Sequence, residues 1–324
     1  GFSMPSARLA RLAHLAHWPP GLPHHLTLPQ TNLFHNLQVS AQRFPDKAAV
    51  IFYDSVMTYA GLLAGSERIA GWLQHEAGVQ PGDRVLIVAE NCPEHVALIL
   101  ACSRVGAWSC GVNARMSRGE VAAFIEKADP RVVYFTHGVS EAASAHAQQA
   151  QARSSVLPGL ARSAVRTQAV AEQGELASRV AAIIFTSGTT GTPKGVLVSH
   201  QGLLQFGRVS TESRQLSAAD RSYAYLPMTH IFGLGTVLMA SLYASAGLVM
   251  RSAFDPADVF ASLATGGVTQ LQGPPAMFTR LLAWLDSQGM AHPVCPDLRY
   301  VYTGAAPLDL TLKRAVEQRF EKPL

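Results

Sequence analysis

A run of hydroxyl, glycine and lysine residues is the first part of this chain that could do chemistry. The β-branched and aromatic segment 180–185 has the pattern of a buried strand, and Thr186-Ser187-Gly188-Thr189-Thr190-Gly191-Thr192-Pro193-Lys194-Gly195 follows it. Glycines let backbone N–H groups approach an anion, hydroxyls add donors, and lysine adds a mobile positive charge. We therefore predict a phosphate-binding loop in which Thr186 to Gly191 and Lys194 contact the ligand.

The loop differs from a Walker A motif, which requires Gly-Lys-Ser/Thr and opens a helix. Here Pro193 precedes Lys194, Gly195 follows it, and Val196-Leu197-Val198 indicates a second strand. The order is strand, loop, strand. The alternative interpretation is a Gly/Thr-rich hairpin turn with a surface lysine.

A histidine follows another strand-like segment in Leu226-Pro227-Met228-Thr229-His230-Ile231-Phe232-Gly233. A helix is predicted after it, so His230 is expected at the carboxyl end of a strand, where open α/β sheets bind ligands. The alternative is a buried imidazole with a structural role.

The third segment is Tyr302-Thr303-Gly304-Ala305-Ala306-Pro307-Leu308. A strand that ends in very small residues lets a flat ring lie against the backbone, whose peptide groups can hydrogen-bond it. Alone, the segment is also typical of an ordinary turn.

Together, in this order, the three segments resemble signatures of the AMP-forming adenylating superfamily, which includes acyl-CoA synthetases, luciferases and peptide-synthetase adenylation domains. The resemblance runs from about Asn32 to the end of the chain. It implies that Lys194 and His230 are catalytic, with Lys194 on the ATP phosphates and His230 beside the carboxylate being activated. It also implies that Phe232, Thr236 and Gly304 line the acyl pocket, and that Gly304, Ala305, Ala306 and Pro307 contact the adenine. Thr229 departs from the aromatic residue common before that histidine.

The resemblance implies a fatty or aryl acid:CoA ligase that uses ATP, Mg and CoA. One alternative is an adenylation domain that loads a carrier protein, and another is a nucleotide-binding fragment without catalysis. The family's Mg-binding Glu, ribose-binding Asp and distal catalytic Lys are not in this sequence. We therefore expect an N-terminal portion that lacks the C-terminal domain, is inactive alone, and contains no metal ligands of its own.

Composition narrows the function classes. The 324 residues are 48% hydrophobic and 15% charged, and the net charge of +4 is scattered, so we expect a large core and no nucleic-acid partner. The four cysteines lack CxxC spacing, which favours a reducing compartment, here the cytoplasm, over disulfides or zinc. Gly1-Phe2-Ser3 is interpreted as an expression scar, and Met4 to Trp18 as a short amphipathic helix rather than a targeting peptide.

Strands alternating with helices predict an α/β fold with parallel strand pairing and right-handed crossovers. The resemblance implies two stacked, mostly parallel sheets flanked by helices, as in the large N-terminal domain of acyl-CoA synthetases. We expect one subdomain at 59–214, carrying the phosphate loop, and a second formed by 26–58 with 215–324, carrying the acyl and adenine pocket. Segment 139–178 is expected to be a surface excursion with irregular helix. The uncharged run Ile231 to Met250 could span a bilayer by length, but its small polar residues favour a buried helix and a strand, with no integral membrane segment.

Overall fold

The computed structural model describes residues 32–186, 194–304 and 309–324. Its helices are α1 Leu33–Arg43, α2 Tyr59–His75, α3 Pro93–Val105, α4 Arg118–Ala128, α5 Glu141–Gln149, α6 Glu175–Arg179, α7 His200–Arg214, a π-helix Phe232–Met239, α8 Ala240–Ala244, α9 Pro256–Thr265, α10 Pro275–Ser287 and α11 Leu310–Phe320. Its strands are β1 Ala48–Phe52, β2 Ser55–Thr58, β3 Arg84–Ala89, β4 Trp108–Asn113, β5 Val132–Phe135, β6 Arg153–Ser154, β7 Ala161–Arg162, β8 Val180–Thr186, β9 Lys194–Ser199, β10 Arg221–Ala224, β11 Gly247–Met250, β12 Gln270–Gly273 and β13 Tyr300–Thr303.

The strands in the described ranges form two sheets. One has the order β13-β12-β10-β11-β1-β2 and is called the His230 sheet, because His230 follows its strand β10. The other has the order β6-β7-β5-β3-β4-β8-β9 and is called the Lys194 sheet. Neighbours pair in parallel except for β1 with β2, β5 with β7, β6 with β7 and β8 with β9. The predicted mostly parallel α/β architecture is confirmed.

Alternating side chains place each sheet between two layers of helices. On β3, Val85 and Ile87 enter a core that also contains residues of β1, β11, α2 and α3, whereas Leu86 and Val88 face the opposite core with residues of α4 and α5. On β11, Leu248 faces the shared core and its neighbour Val249 faces a third core with α9 to α11. Successive strand residues point to opposite faces, so both sheets contribute one face to the same central core.

Local capping supports several of the expected helix starts. Ser117 Oγ accepts a hydrogen bond from Glu120 N, and Glu120 Oε1 accepts one from Ser117 N, which forms a capping box at the start of α4. Ser199 caps the start of α7 in a similar way, because its Oγ accepts a hydrogen bond from Gly202 N. Since β9 ends at Ser199, this cap turns the chain from strand to helix immediately after the predicted phosphate loop.

Segment 139–178 is more regular than expected, and that prediction was wrong. It contains α5, capped by Ser140, and β7 pairs antiparallel with β5 to extend the Lys194 sheet. Ala143 and Ala147 are buried on one side of α5. Alanine gives little contrast in hydrophobicity, so the helical period was weak in the sequence although the small side chains pack closely.

The apolar run 231–250 forms the π-helix, α8 and then β11 inside the fold, as the sequence favoured. No helix in the described part of the chain combines the length and apolar character needed to cross a bilayer. Cys92, Cys102 and Cys110 are buried free thiols, and Cys295 is a half-buried free thiol.

Candidate active site

The His230 loop, residues 225–230, leaves the carboxyl end of β10 and turns sharply into the π-helix. Pro227 O accepts a hydrogen bond from His230 N at 3.1 Å. A Cβ placed on Gly233 would lie 2.1 Å from Pro227 O, so only glycine allows this approach of helix to loop. The glycine of the Leu-Pro-x-x-His-x-x-Gly pattern therefore sets the shape of the turn that presents His230.

The His230 ring is exposed and its orientation is fixed by the backbone. Phe232 N donates to Nδ1 at 3.1 Å. Because Nδ1 is the acceptor, the neutral ring carries its proton on Nε2, which is the atom left to donate toward a ligand.

The next turn of backbone is a π-helix, Phe232–Met239, and a buried arginine stabilises it. The Arg214 guanidinium on α7 donates to Thr236 O and, at 3.0 Å, to Gln272 Oε1 on β12. Burial lowers the pKa of Arg214 to about 10, so the side chain remains a cation at neutral pH. Arg214 thus connects the π-helix to α7, on which it lies, and to β12. Helices of this type often occur at functional sites.

Tyr302 and Gly304 lie against Phe232, the first residue of the π-helix that follows the His230 loop. The rings of Phe232 and Tyr302 are nearly parallel, with centroids 6.4 Å apart and planes 11° apart. A Cβ on Gly304 would lie 2.7 Å from Phe232 Cε2. The absence of a side chain at Gly304 is therefore what makes room for the aromatic ring.

An apolar cavity of about 260 Å³ opens where these two segments meet. Its lining residues are Leu226, Pro227, His230, Phe232, Pro274 and Gly304. Three residues predicted for the acid site, His230, Phe232 and Gly304, are therefore brought together. Thr236, also predicted for the acyl pocket, is buried in the π-helix and is not part of this lining.

The predicted phosphate loop is bounded by paired strand ends. Thr186 pairs with Lys194 in the antiparallel ladder of β8 and β9, and both side chains are exposed. Residues 187–193 lie outside the described residues, so the predictions for Ser187, Gly188, Thr189, Thr190 and Gly191 fall there. The predictions for Ala305, Ala306 and Pro307 also fall outside the described ranges.

Strand β4 lies between the His230 loop and β8, the strand that precedes the predicted phosphate loop. A Cβ on Gly111 would lie 3.0 Å from Thr229 Cγ2, so Thr229 rests directly on this strand. Gly111 pairs in register with Ile184 of β8, two residues before Thr186. Neighbouring strands are about 4.8 Å apart, so the His230 loop lies close to the end of β8 from which the phosphate loop departs.

A second cavity of about 430 Å³ lies on the other side of the His230 loop. It is lined by Ala89, Glu90, Asn91, Asn113, Arg115, Tyr225, Pro227, Thr229, Ser252, Ala253, Phe254 and Arg280. Arg115 Nε donates to Glu90 Oε1 at 2.7 Å, and the Arg280 guanidinium lies 4.6 Å from the centroid of the Phe254 ring. The cavity therefore presents two cations, one of them paired with the Glu90 carboxylate, and several amide and hydroxyl groups.

Sequence reasoning missed this second group of residues. Glu90 was not singled out as a site residue in the sequence, and in the structure it pairs with Arg115. Asn91 and Asn113 carried one available signal, namely that they lie at the carboxyl ends of parallel strands. Arg115 carried the same signal, since it follows β4 by two residues, whereas Arg280 lies inside α10 and had none.

Within residues 32–186, 194–304 and 309–324, no group of three or more His, Cys, Asp or Glu side chains is placed to hold a metal ion.

Comparisons with known proteins give one consistent result. Residues 37–324 match the family model described as AMP-binding enzyme. A long-chain-fatty-acid–CoA ligase of Bacillus subtilis is 26% identical, covering 95% of this chain and 60% of that protein. A 2-succinylbenzoate–CoA ligase of Bacillus velezensis is 27% identical, covering 84% of this chain and 53% of that protein. The crystal structure of ATP-bound MatB from Rhodopseudomonas palustris superimposes with a TM-score of 0.73 at 27% identity, covering 90% of this chain and 58% of that one.

Proposed function

Because this chain belongs to the AMP-binding enzyme family, we propose that the complete protein is an ATP-dependent acid:CoA ligase. The chain spans 53% to 60% of the length of the two relatives compared above, so the proposal concerns the whole protein. In the proposed reaction, a carboxylate oxygen attacks the α-phosphorus of ATP, and pyrophosphate leaves. The CoA thiol then attacks the carbonyl carbon of the acyl-adenylate, AMP leaves, and a thioester forms.

The apolar cavity carries this proposal. Residues from two segments about 70 positions apart, His230 and Phe232 on one side and Gly304 on the other, form its wall. A cavity that is apolar except for one exposed imidazole suits the hydrocarbon part of an acid with its carboxylate at the mouth. We propose that the Nε2 proton of His230 faces that carboxylate and orients it.

The other roles follow from position. We propose that Lys194, Thr186 and the loop 187–193 hold the β- and γ-phosphates, where the lysine charge offsets the developing negative charge on pyrophosphate. We propose that Gly304 to Pro307 receive the adenine. Any Mg²⁺ would be supplied with ATP and would offset the negative charge of its phosphates.

We propose a fatty or aryl acid, because the lining of the apolar cavity includes leucine, proline and phenylalanine. We propose that the CoA thiol approaches from the second cavity, whose arginines suit an anionic ligand. The proposed subdomains, 59–214 and 26–58 with 215–324, follow the division into two sheets. Buried free thiols support a reducing, cytoplasmic location.

Carboxylate-dependent exchange of pyrophosphate into ATP by the complete protein tests the adenylation step. Lys194→Met should lower the rate of exchange at least tenfold and raise the KM for ATP, since a charged contact to phosphate is removed. Lys313→Met is a matched control, because Lys313 pairs with Glu317 on the surface of α11. No exchange with any fatty or aryl acid would refute the proposal.

A separate experiment identifies the molecule that accepts the acyl group, free CoA or a carrier protein. Thioester formation on free CoA supports the ligase, and acylation of a carrier protein alone would assign the chain to the carrier-loading alternative. Calorimetric titration of residues 1–324 with ATP tests the further proposal that this part binds nucleotide without completing turnover.

A further inference from the structure

Asn91 forms an unusual connection between the two sheets. It lies just after β3 of the Lys194 sheet, and its side chain is buried, with 4% of the residue exposed. Nδ2 donates to Leu226 O at 2.9 Å and to Tyr225 O at 3.3 Å. Met228 N donates to Oδ1 at 3.0 Å. All of these partners are backbone groups of the His230 loop, more than 130 positions along the chain.

The loop needs such partners because it has left the sheet. Strand β10 ends at Ala224, whose carbonyl accepts from Arg251 N, and the next backbone groups no longer belong to a ladder. Backbone groups buried without a partner cost free energy. The carboxamide of Asn91 satisfies carbonyls and an N–H together, which requires a side chain that both donates and accepts.

The loop held by Asn91 separates the two cavities. Leu226 and His230 line the apolar cavity, Tyr225 and Thr229 line the second cavity, and Pro227 lines both. On the far side of the loop, Gly111 supports Thr229 at close range. Asn91 itself lines the second cavity, so one side chain shapes the wall between the two spaces.

We propose that Asn91 is a positioning residue, which fixes the His230 loop as the wall between the acid cavity and the second cavity. The proposal rests on the proposed ligase function for its kinetic consequences. Asn91 acts through the loop and not on the reacting atoms. Its loss displaces His230 and the shared wall, so both adenylation and thioester formation slow.

Two substitutions separate the donor and acceptor roles. Asn91→Leu keeps a similar volume and removes every hydrogen bond, and we expect kcat/KM for exchange to fall about 100-fold, the loss typical of a small displacement of a catalytic group. Asn91→Asp keeps the acceptor for Met228 N but places a carboxylate against two carbonyl oxygens. The buried carboxyl then has a raised pKa, and its protonated form can donate again.

The pH profile is the distinguishing measurement. The ratio of unmodified to Asn91→Asp activity should be largest above neutral pH and should decrease as the pH falls, whereas the Asn91→Leu defect should be independent of pH. Ser40→Ala is the control, since Ser40 is buried, donates to Leu242 O at 3.0 Å and lies away from both cavities. It should lower the melting temperature to a similar extent and leave kcat/KM within twofold.

An NMR experiment tests the positioning role of Asn91 without relying on ligase activity. Long-range ¹H–¹⁵N spectra of the His230 ring in residues 1–324 should show one Nε2-protonated tautomer in the unmodified chain and in Ser40→Ala, because Phe232 N occupies Nδ1. A mixture of tautomers is expected in Asn91→Leu, or in Asn91→Asp at high pH if the leucine variant does not fold. Unchanged ring signals would overturn the positioning role. Absence of exchange activity in the unmodified protein would refute the ligase function and leave this result intact.

Discussion

The two cavities on either side of the His230 loop differ sharply in chemistry. The lining of the first includes Leu226, Phe232 and Pro274 together with His230, whereas the second includes Arg115, Arg280, Glu90 and two asparagines. They share Pro227. An apolar space binds a hydrocarbon group through desolvation, and a polar space with cations binds an anionic carrier through charge-assisted hydrogen bonds.

The difference shows how a single loop can let two dissimilar reactants meet. On the proposed function, the acid occupies the first cavity and CoA the second, so their reacting ends meet near the loop. Damage to one cavity should then affect one half-reaction much more than the other.

The largest expected effect is on the apolar cavity. Gly304→Ala places a Cβ 2.7 Å from Phe232 Cε2, so the ring, which lines the cavity, has to shift. We expect kcat/KM for the acid in pyrophosphate exchange to fall about 100-fold. Gly71→Ala is the matched control, because a Cβ there meets nothing within 4 Å in helix α2. Equal activity of the two variants would mean that this cavity does not bind the acid.

A smaller effect is expected in the second cavity. Arg115→Ala removes a cation whose side chain is 67% exposed, and we expect the KM for CoA to rise about tenfold, less at high salt. Acyl-adenylate formation should change much less. Arg179→Ala tests whether any exposed arginine paired with a glutamate would do the same, since Arg179 pairs with Glu175 on the surface. A larger effect on exchange than on the CoA-dependent step would contradict the separation of the two cavities.

Acidification is expected to have the smallest effect on activity but a clear effect on the free energy of unfolding, and folding is needed for both cavities to form. Burial lowers the pKa of His95 and of His200 to about 4, below the usual value of 6.5. The unfolded chain therefore binds more protons between these values, and stability falls as the pH decreases through this range. We expect a loss of about 2 kcal/mol per histidine between pH 7 and pH 5, measured by urea unfolding.

Two variants sharpen that expectation. His200→Gln retains an acceptor for Leu33 N, and His95→Leu removes an imidazole whose Nδ1 has no hydrogen-bond partner in the described structure. Each should remove about half of the pH dependence. An unchanged slope in both variants would show that other groups control acid unfolding.

The sequence was informative where the site is built from local patterns. The His230 loop lies between a strand and a helix that are adjacent in the chain, so its place at the carboxyl end of β10 followed from strand-helix alternation. The capping box at Ser117 was readable for the same reason. The contact of Asn91 with residues 225–228 joins positions separated by about 135 residues, and no local pattern encodes it.

The burial of the Arg214 side chain could not be predicted from the sequence either. Arg214 lies in the last turn of α7, where a lysine or arginine is expected to face solvent and interact with the helix dipole. Instead its side chain reaches the π-helix and β12, because the carbonyl of Thr236 and the amide of Gln272 are available there. The π-helix could not be foreseen either, since apolar periodicity does not distinguish it from an α-helix.

Pro227 has a thermodynamic consequence through its position in both cavities. An occupant that shifts this ring from one side changes the free energy of binding on the other. By linkage, the factor by which the acid alters the affinity for CoA equals the factor by which CoA alters the affinity for the acid. On the proposed function, two titrations, each in the presence of the second ligand, should give the same coupling constant.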